Sequence, residues 1–187
     1  MADLRLFIAA RPPDTVLRGL SDLSRLLASR GDGVKWVRSD SIHLTLKFLG
    51  SVDEAMAGAI GDAAARCARG VGNIPLSVGR VGAFPDMRRP RVIWVGLAGE
   101  IERLGSVANA LEEACFDLGF SKEGRAFRPH LTLGRVKDRL SVETIKKIEQ
   151  SKDVVLGDMV VDAIELIKSD LLPSGAVYTT LSHFPLT

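Results

Sequence analysis

The tetrapeptide His-Leu-Thr-Leu occurs twice, as His43-Leu44-Thr45-Leu46 and as His130-Leu131-Thr132-Leu133. The chain has three histidines, and two of them open this pattern, 87 positions apart. In an extended strand, residues i and i+2 share a face. Each copy therefore sets a histidine beside a threonine hydroxyl and turns two leucines towards a core. Two such strands facing one another make a cleft with two imidazoles and two hydroxyls, suited to acid–base chemistry on a small anionic group.

At 187 residues, 46% of them apolar, the chain can build one substantial core or two small lobes packed together. No apolar run approaches the ~20 residues that span a bilayer, so no membrane partner is expected. The opening MADLRLFIAARPPD reads as a strand rather than a signal peptide. Cys67 and Cys115 lie far apart with no C-x-x-C spacing, as expected of reduced, buried thiols in a cytoplasmic protein. The net charge is only +2, but Met87 to Arg91 and Lys122 to Arg135 concentrate positive charge near the second motif. Such a patch suits a phosphate-bearing ligand, although a charged run alone is as often a solvated surface.

Strands are expected at Leu4–Ala10, Val34–Val37, Ile42–Leu49, Ile74–Phe84, Arg91–Leu97, Phe127–Val136, Val154–Ile167 and Ala176–Phe184. Helical spacing of Val16, Leu17, Leu20, Leu23, Leu26 and Leu27 marks Asp14–Arg30, stopped by Gly31-Asp32-Gly33. Ser51 with Glu54 reads as a capping box for a helix to about Gly70. Further helices are expected at Ile101–Leu118 and Ser141–Gln150, and Pro173-Ser174-Gly175 reads as a hairpin connection. The order of elements begins again in the second half. The expected fold is α+β: two similar lobes, each a mostly antiparallel sheet with helices on its outer side and the cleft between them, forming one bilobal domain over 1–187.

A lone histidine on a strand is more often structural than catalytic, but two copies with matched flanking leucines reverse that judgement. Histidine titrates near pH 6.5, so one imidazole can take a proton from water while the other gives one to a leaving oxygen. The threonines can donate hydrogen bonds to a phosphoryl oxygen. A zinc site needs three or four ligands, and His183 with the nearby acids shows no ligand spacing, so no metal or other cofactor is expected.

The paired motifs resemble those of the 2H phosphoesterase superfamily, and more narrowly of the bacterial and archaeal RNA 2′,3′-cyclic phosphodiesterases, once called 2′-5′ RNA ligases. LRLFIAARPP, HLTLKFLG, RPRVIWVGL, FRPHLTLGRV and SGAVYTTLSHFPL carry the resemblance across essentially the whole chain. It implies metal-free hydrolysis of a ribose 2′,3′-cyclic phosphate at an RNA end to a 2′-phosphate, with a reversible 2′-5′ RNA ligase activity as a possible addition. It further implies His43 as general acid to the 3′ oxygen, His130 as the base for water, Thr45 and Thr132 holding the phosphate, and Arg135 just beyond the second motif. A monomer is expected.

Strand parity adds Lys47 to the face of His43 and Thr45 as a further substrate-binding candidate. It puts Arg135 on the wrong face unless Gly134 permits a bulge, and assigns Phe48 to the core. Trp36 and Phe84 are weak candidates for base stacking. Two other readings stand: a phosphodiesterase for small cyclic nucleotides, 2′-5′ oligonucleotides or an ADP-ribose cyclic phosphate, and a nucleotide-binding module without catalysis.

Overall fold

The computed structural model describes residues 3–173 and 175–187. Nine strands and four helices run in the order β1 (Asp3–Ala10), α1 (Asp14–Leu27), β2 (Val34–Trp36), β3 (Leu44–Asp53), α2 (Ala57–Ala68), β4 (Ile74–Phe84), β5 (Val92–Gly99), α3 (Ile101–Asp117), β6 (His130–Val136), α4 (Val142–Gln150), β7 (Val155–Val161), β8 (Ala163–Leu172) and β9 (Gly175–Pro185). Ser174, in the expected hairpin connection, lies outside the described residues, and the strands on either side of it pair.

All strand pairings are antiparallel, in the order β7-β4-β5-β6-β3-β1-β8-β9, with β2 also on β6. The two motif strands, β3 and β6, join the halves of this sheet at one residue pair, Leu44 opposite Leu131. Equivalent residues of the two motifs thus face each other across a local two-fold. Beyond that pair β6 turns to β2 instead, so the two halves of the sheet part.

The lobes are not the two halves of the chain. One combines β1, β3, β8 and β9 with α2 and α3; the other combines β2, β4, β5, β6 and β7 with α1 and α4. The expected strand from Val154 to Ile167 is two strands, broken at Asp162, which serve opposite ends of the sheet. Apolar periodicity shows that a segment has a buried face, not which partner buries it.

All four helices pack on one side of the sheet, over a core that runs through both lobes. On α1 that side carries Val16, Leu17, Leu20, Leu23 and Leu27, while Leu26 is exposed. Leu44, Leu46, Leu131 and Leu133 all enter this core. Fully burying a leucine is worth roughly 1.5–3 kcal/mol, so the four anchor both motif strands and fix the spacing of what they carry. Ser51 lies within β3, and it is Asp53 that caps the 3-10 turn Glu54–Met56 leading into α2, accepting from the Ala55 amide. Ser141, expected inside the helix, is its cap, accepting from the Thr144 amide at 3.1 Å.

Candidate active site

The helix-free face of the sheet holds a second, small apolar cluster of Phe7, Ala9, Ile167 and Tyr178. His43 lies against it, its ring stacked on Phe7 at 4.5 Å between centroids and edge-on to Tyr178 at 5.1 Å. His130 meets Phe84 edge-on at 5.0 Å, and Phe84 leans on Trp94.

The two imidazoles are held alike. Nδ1–H of His43 donates to the Ser41 carbonyl (3.0 Å), and Nδ1–H of His130 to the Arg128 carbonyl (2.7 Å), each two residues upstream. A carbonyl can only accept, so both rings adopt the tautomer that leaves Nε2 as the working nitrogen. Extending the Leu44–Leu131 register by one residue sets His43 across from Thr132 and His130 across from Thr45. Burial pushes His43 down to about 4, against the bond to Ser41, and the nearby charges of Arg135 and His130 push the same way.

A bulge decides the rest of the face. In the pairing of β3 with β1, Ala9 faces Thr45 and Ile8 faces Lys47, leaving Leu46 as an extra residue. In the pairing of β6 with β5, Trp94 faces Thr132 and Ile93 faces Gly134, leaving Leu133 extra. The same motif leucine is bulged in both copies, and a bulge reverses the parity of the residues beyond it, in β3 as far as Leu49, which is extra in its turn.

Lys47 therefore does not join His43 and Thr45. It sits on the helix side, 4% exposed, bonding the Glu112 carboxylate of α3 at 2.7 Å and the Ser121 carbonyl at 3.1 Å. Although burial raises Glu112, its bonds from Lys47 and the Glu123 amide outweigh it and hold the carboxyl below its ordinary value. Lys47 ties a loop to a helix; it is not a substrate ligand.

Arg135 moves the other way. It is exposed opposite Val92, beside Lys35, and close enough for its charge to act on both His43 and Tyr178: it adds to the burial that lowers His43 and opposes the burial that raises Tyr178. Gly134 permits this: a Cβ there would stand 2.8 Å from Val34 Cγ1 and 3.1 Å from Trp36 Cε3. Val34 and Trp36 can pack on the core only over a glycine, so Trp36 is no stacking platform.

The reversal also brings out Phe48. It is 49% exposed, faces Phe7 in register, and has the Arg5 guanidinium 4.8 Å from its ring centre. Parity alone sent Phe48 to the core and missed Tyr178. The signal for the first lay in its place: Phe48 and Arg135 hold equivalent positions, five residues after their histidines.

Among the described residues, no three His, Cys, Asp or Glu side chains cluster to hold a metal, and no helix is long and apolar enough to cross a membrane. His183 pairs with Glu165 at 3.4 Å.

The profile of the family described as LigT like Phosphoesterase matches twice, over residues 11–94 and 95–178. The chain belongs to that family. The two matches carry one motif each, so the repeat read from the tetrapeptides extends to the whole chain. An Aeropyrum pernix relative named RNA 2′,3′-cyclic phosphodiesterase is 34% identical over 165 residues, 87% of this chain and 92% of its own. A Methanocaldococcus jannaschii protein of the same name is 32% identical over 182 residues, 97% of this chain and all of its own. Among solved structures, one from Thermus thermophilus has a TM-score of 0.83 at 28% identity, covering 97% of each chain. E. coli LigT complexed with 3′-AMP has a TM-score of 0.82 at 24% identity, covering 100% and 99%, and supports the fold.

Proposed function

We propose that this chain is an RNA 2′,3′-cyclic phosphodiesterase that opens a terminal cyclic phosphate to a 2′-phosphomonoester by acid–base catalysis between His43 and His130. The observation that carries the reading is the matched pair of imidazoles, each fixed through Nδ1 to a carbonyl with Nε2 left free. The names of its relatives support the substrate.

Water attacks phosphorus and gives a proton to Nε2 of His130 as the P–O3′ bond breaks. His43 returns a proton from Nε2 to the leaving 3′ oxygen, so the pair ends with its protons exchanged. In-line displacement needs attacking and leaving oxygens on opposite sides of phosphorus, which two strands meeting at Leu44 and Leu131 provide. Thr45 and Thr132 donate to the phosphoryl oxygens, and Arg135 balances the charge that develops there. Phe48 offers its exposed ring to the terminal base.

One observation favours the opposite orientation. His43 is neutral at pH 7 when the site is empty, which suits a base. Burial, the main cause of that lowering, and the repulsion from Arg135 are both opposed by a bound anion, so the acid role requires that the substrate's charge raise His43. The same reading takes the chain to be a monomeric bilobal unit in the cytoplasm, consistent with two unbridged cysteines. Turnover of 2′,3′-cyclic AMP with and without excess EDTA tests it. Equal rates are expected; activity lost to the chelator and restored by zinc or manganese would contradict it.

A further inference from the structure

A pocket of about 540 Å³ lies between the loop joining β4 to β5, the chain just after β6 and Ile145 of α4, and neither motif histidine lines it. Arg88, Arg89, Arg91, Lys137 and Arg139 line it, with Asp138 the one acid and Val136 and Leu140 among its apolar lining. Among the described residues, none of the five cations pairs with a carboxylate. The contrast is a second surface pocket of about 430 Å³ beside α1, where Asp14, Asp22 and Asp40 stand among the arginines and Asp22 pairs with Arg25.

Unpaired cations repel one another, so gathering five around a cavity raises the local potential unless an anion enters. The backbone holds them there. The Asp86 carboxylate accepts from the amides of Arg88 and Arg89 (2.7 and 3.1 Å), the Arg91 amide donates to Phe84 (2.7 Å), and the Val136 amide to Arg91 (2.9 Å). On the far wall the Gly33 amide donates to the Arg139 carbonyl at 3.1 Å.

Both walls begin at the active site. One leaves from Phe84, whose ring touches His130; the other continues from Arg135 along β6. Four residues of strand separate Thr132 from Val136, roughly 13 Å. Among the described residues no aromatic side chain lines the pocket, so it offers charge without a surface for stacking a base.

We propose that this pocket holds the phosphodiester backbone of the RNA a few nucleotides from its cyclic end, so that the enzyme discriminates between RNA ends and free cyclic nucleotides. The inference rests on the function proposed above. The chemistry it recognises, a phosphate anion, is shared by RNA and by free phosphate.

The test compares Arg89→Ser/Arg139→Ser with the unaltered chain on two substrates: an oligoribonucleotide ending in a 2′,3′-cyclic phosphate, and 2′,3′-cyclic AMP. The double variant is expected to lose about tenfold or more in kcat/KM on the oligomer, since hydrogen bonds to charged groups are the stronger ones. Its rate on cyclic AMP should stay within about twofold, and Arg89→Lys/Arg139→Lys should recover most of the loss. The dependence of log KM on log salt for the oligomer should flatten by about 1.4 for two lost contacts to a single strand. Equal losses on both substrates, or none on either, would overturn the inference and leave the function standing. It would also be overturned if inorganic phosphate, but not an uncyclised oligomer, inhibited the unaltered chain in a way the variant abolishes. No turnover of either substrate by the unaltered chain would overturn the function and the pocket together.

Discussion

The two motif strands are the same device with different endings. Both bury two leucines, both bond Nδ1 of a histidine to a carbonyl two residues upstream, and both bulge at the second leucine. They part company just after the bulge, where β3 has Lys47 and Phe48 and β6 has Gly134 and Arg135. One lobe thereby presents an aromatic ring to the cleft and the other a cation. Their histidines differ too: His43 is enclosed by Phe7 and Tyr178, whereas His130 is met by Phe84 on one edge. Duplication supplies a matched pair of histidines; under the proposed function, divergence around them gives the site a direction, with an aromatic side for the nucleoside and a cationic side for the phosphate.

The largest effect should come from what the strands share. His43→Ala and His130→Ala should each lower kcat by roughly 10²–10⁴-fold with the fold intact by circular dichroism. Near-normal kcat in either would break the symmetry of the pair. Next comes the first residue after the bulge. Lys47→Met leaves the half-buried Glu112 without its cation and the Ser121 carbonyl without a donor, and should cost roughly 1–3 kcal/mol in chemical denaturation, with the folded fraction still active. A large rise in KM with unchanged stability would return Lys47 to the substrate.

The next pair tests the two endings directly. Arg135→Met and Phe48→Ala should each raise KM roughly 5- to 100-fold, from a lost charge-assisted bond and a lost stacking surface. Only the Arg135 variant should lose affinity for inorganic phosphate; equal losses in both would erase the distinction between the lobes.

Much of this site was readable from the tetrapeptides, because a two-residue period fixes which side chains share a face over three or four residues. It was not readable beyond Leu46 and Leu133. A bulge adds one residue without disturbing composition, and every parity argument after it inverts. That single event misplaced Lys47 and Phe48 and made Arg135 doubtful, although Gly134 was a signal for it. The lobes' interleaving was hidden for another reason: Val155–Val161 and Ala163–Leu172 are equally good strands, and nothing local says that they pair at opposite ends of the sheet.

A smaller effect concerns stability and pH. His43 titrates lower in the folded chain than in the unfolded one, so its contribution is complete above about pH 6.5 and is lost as pH falls towards 4. His43→Leu should remove on the order of 1–2 kcal/mol of that acid sensitivity, read from denaturation midpoints between those pH values. An unchanged slope would mean that burial does not lower His43 in the folded chain.

The central claim is that His43 and His130 divide acid and base duties across one phosphorus, with His43 on the side of the 3′ oxygen. Phosphorus NMR of the product from an RNA ending in a 2′,3′-cyclic phosphate tests it most directly. A 2′-phosphomonoester is predicted. A 3′-phosphomonoester would contradict it by exchanging the two roles, and an unopened ring after prolonged incubation would contradict catalysis altogether.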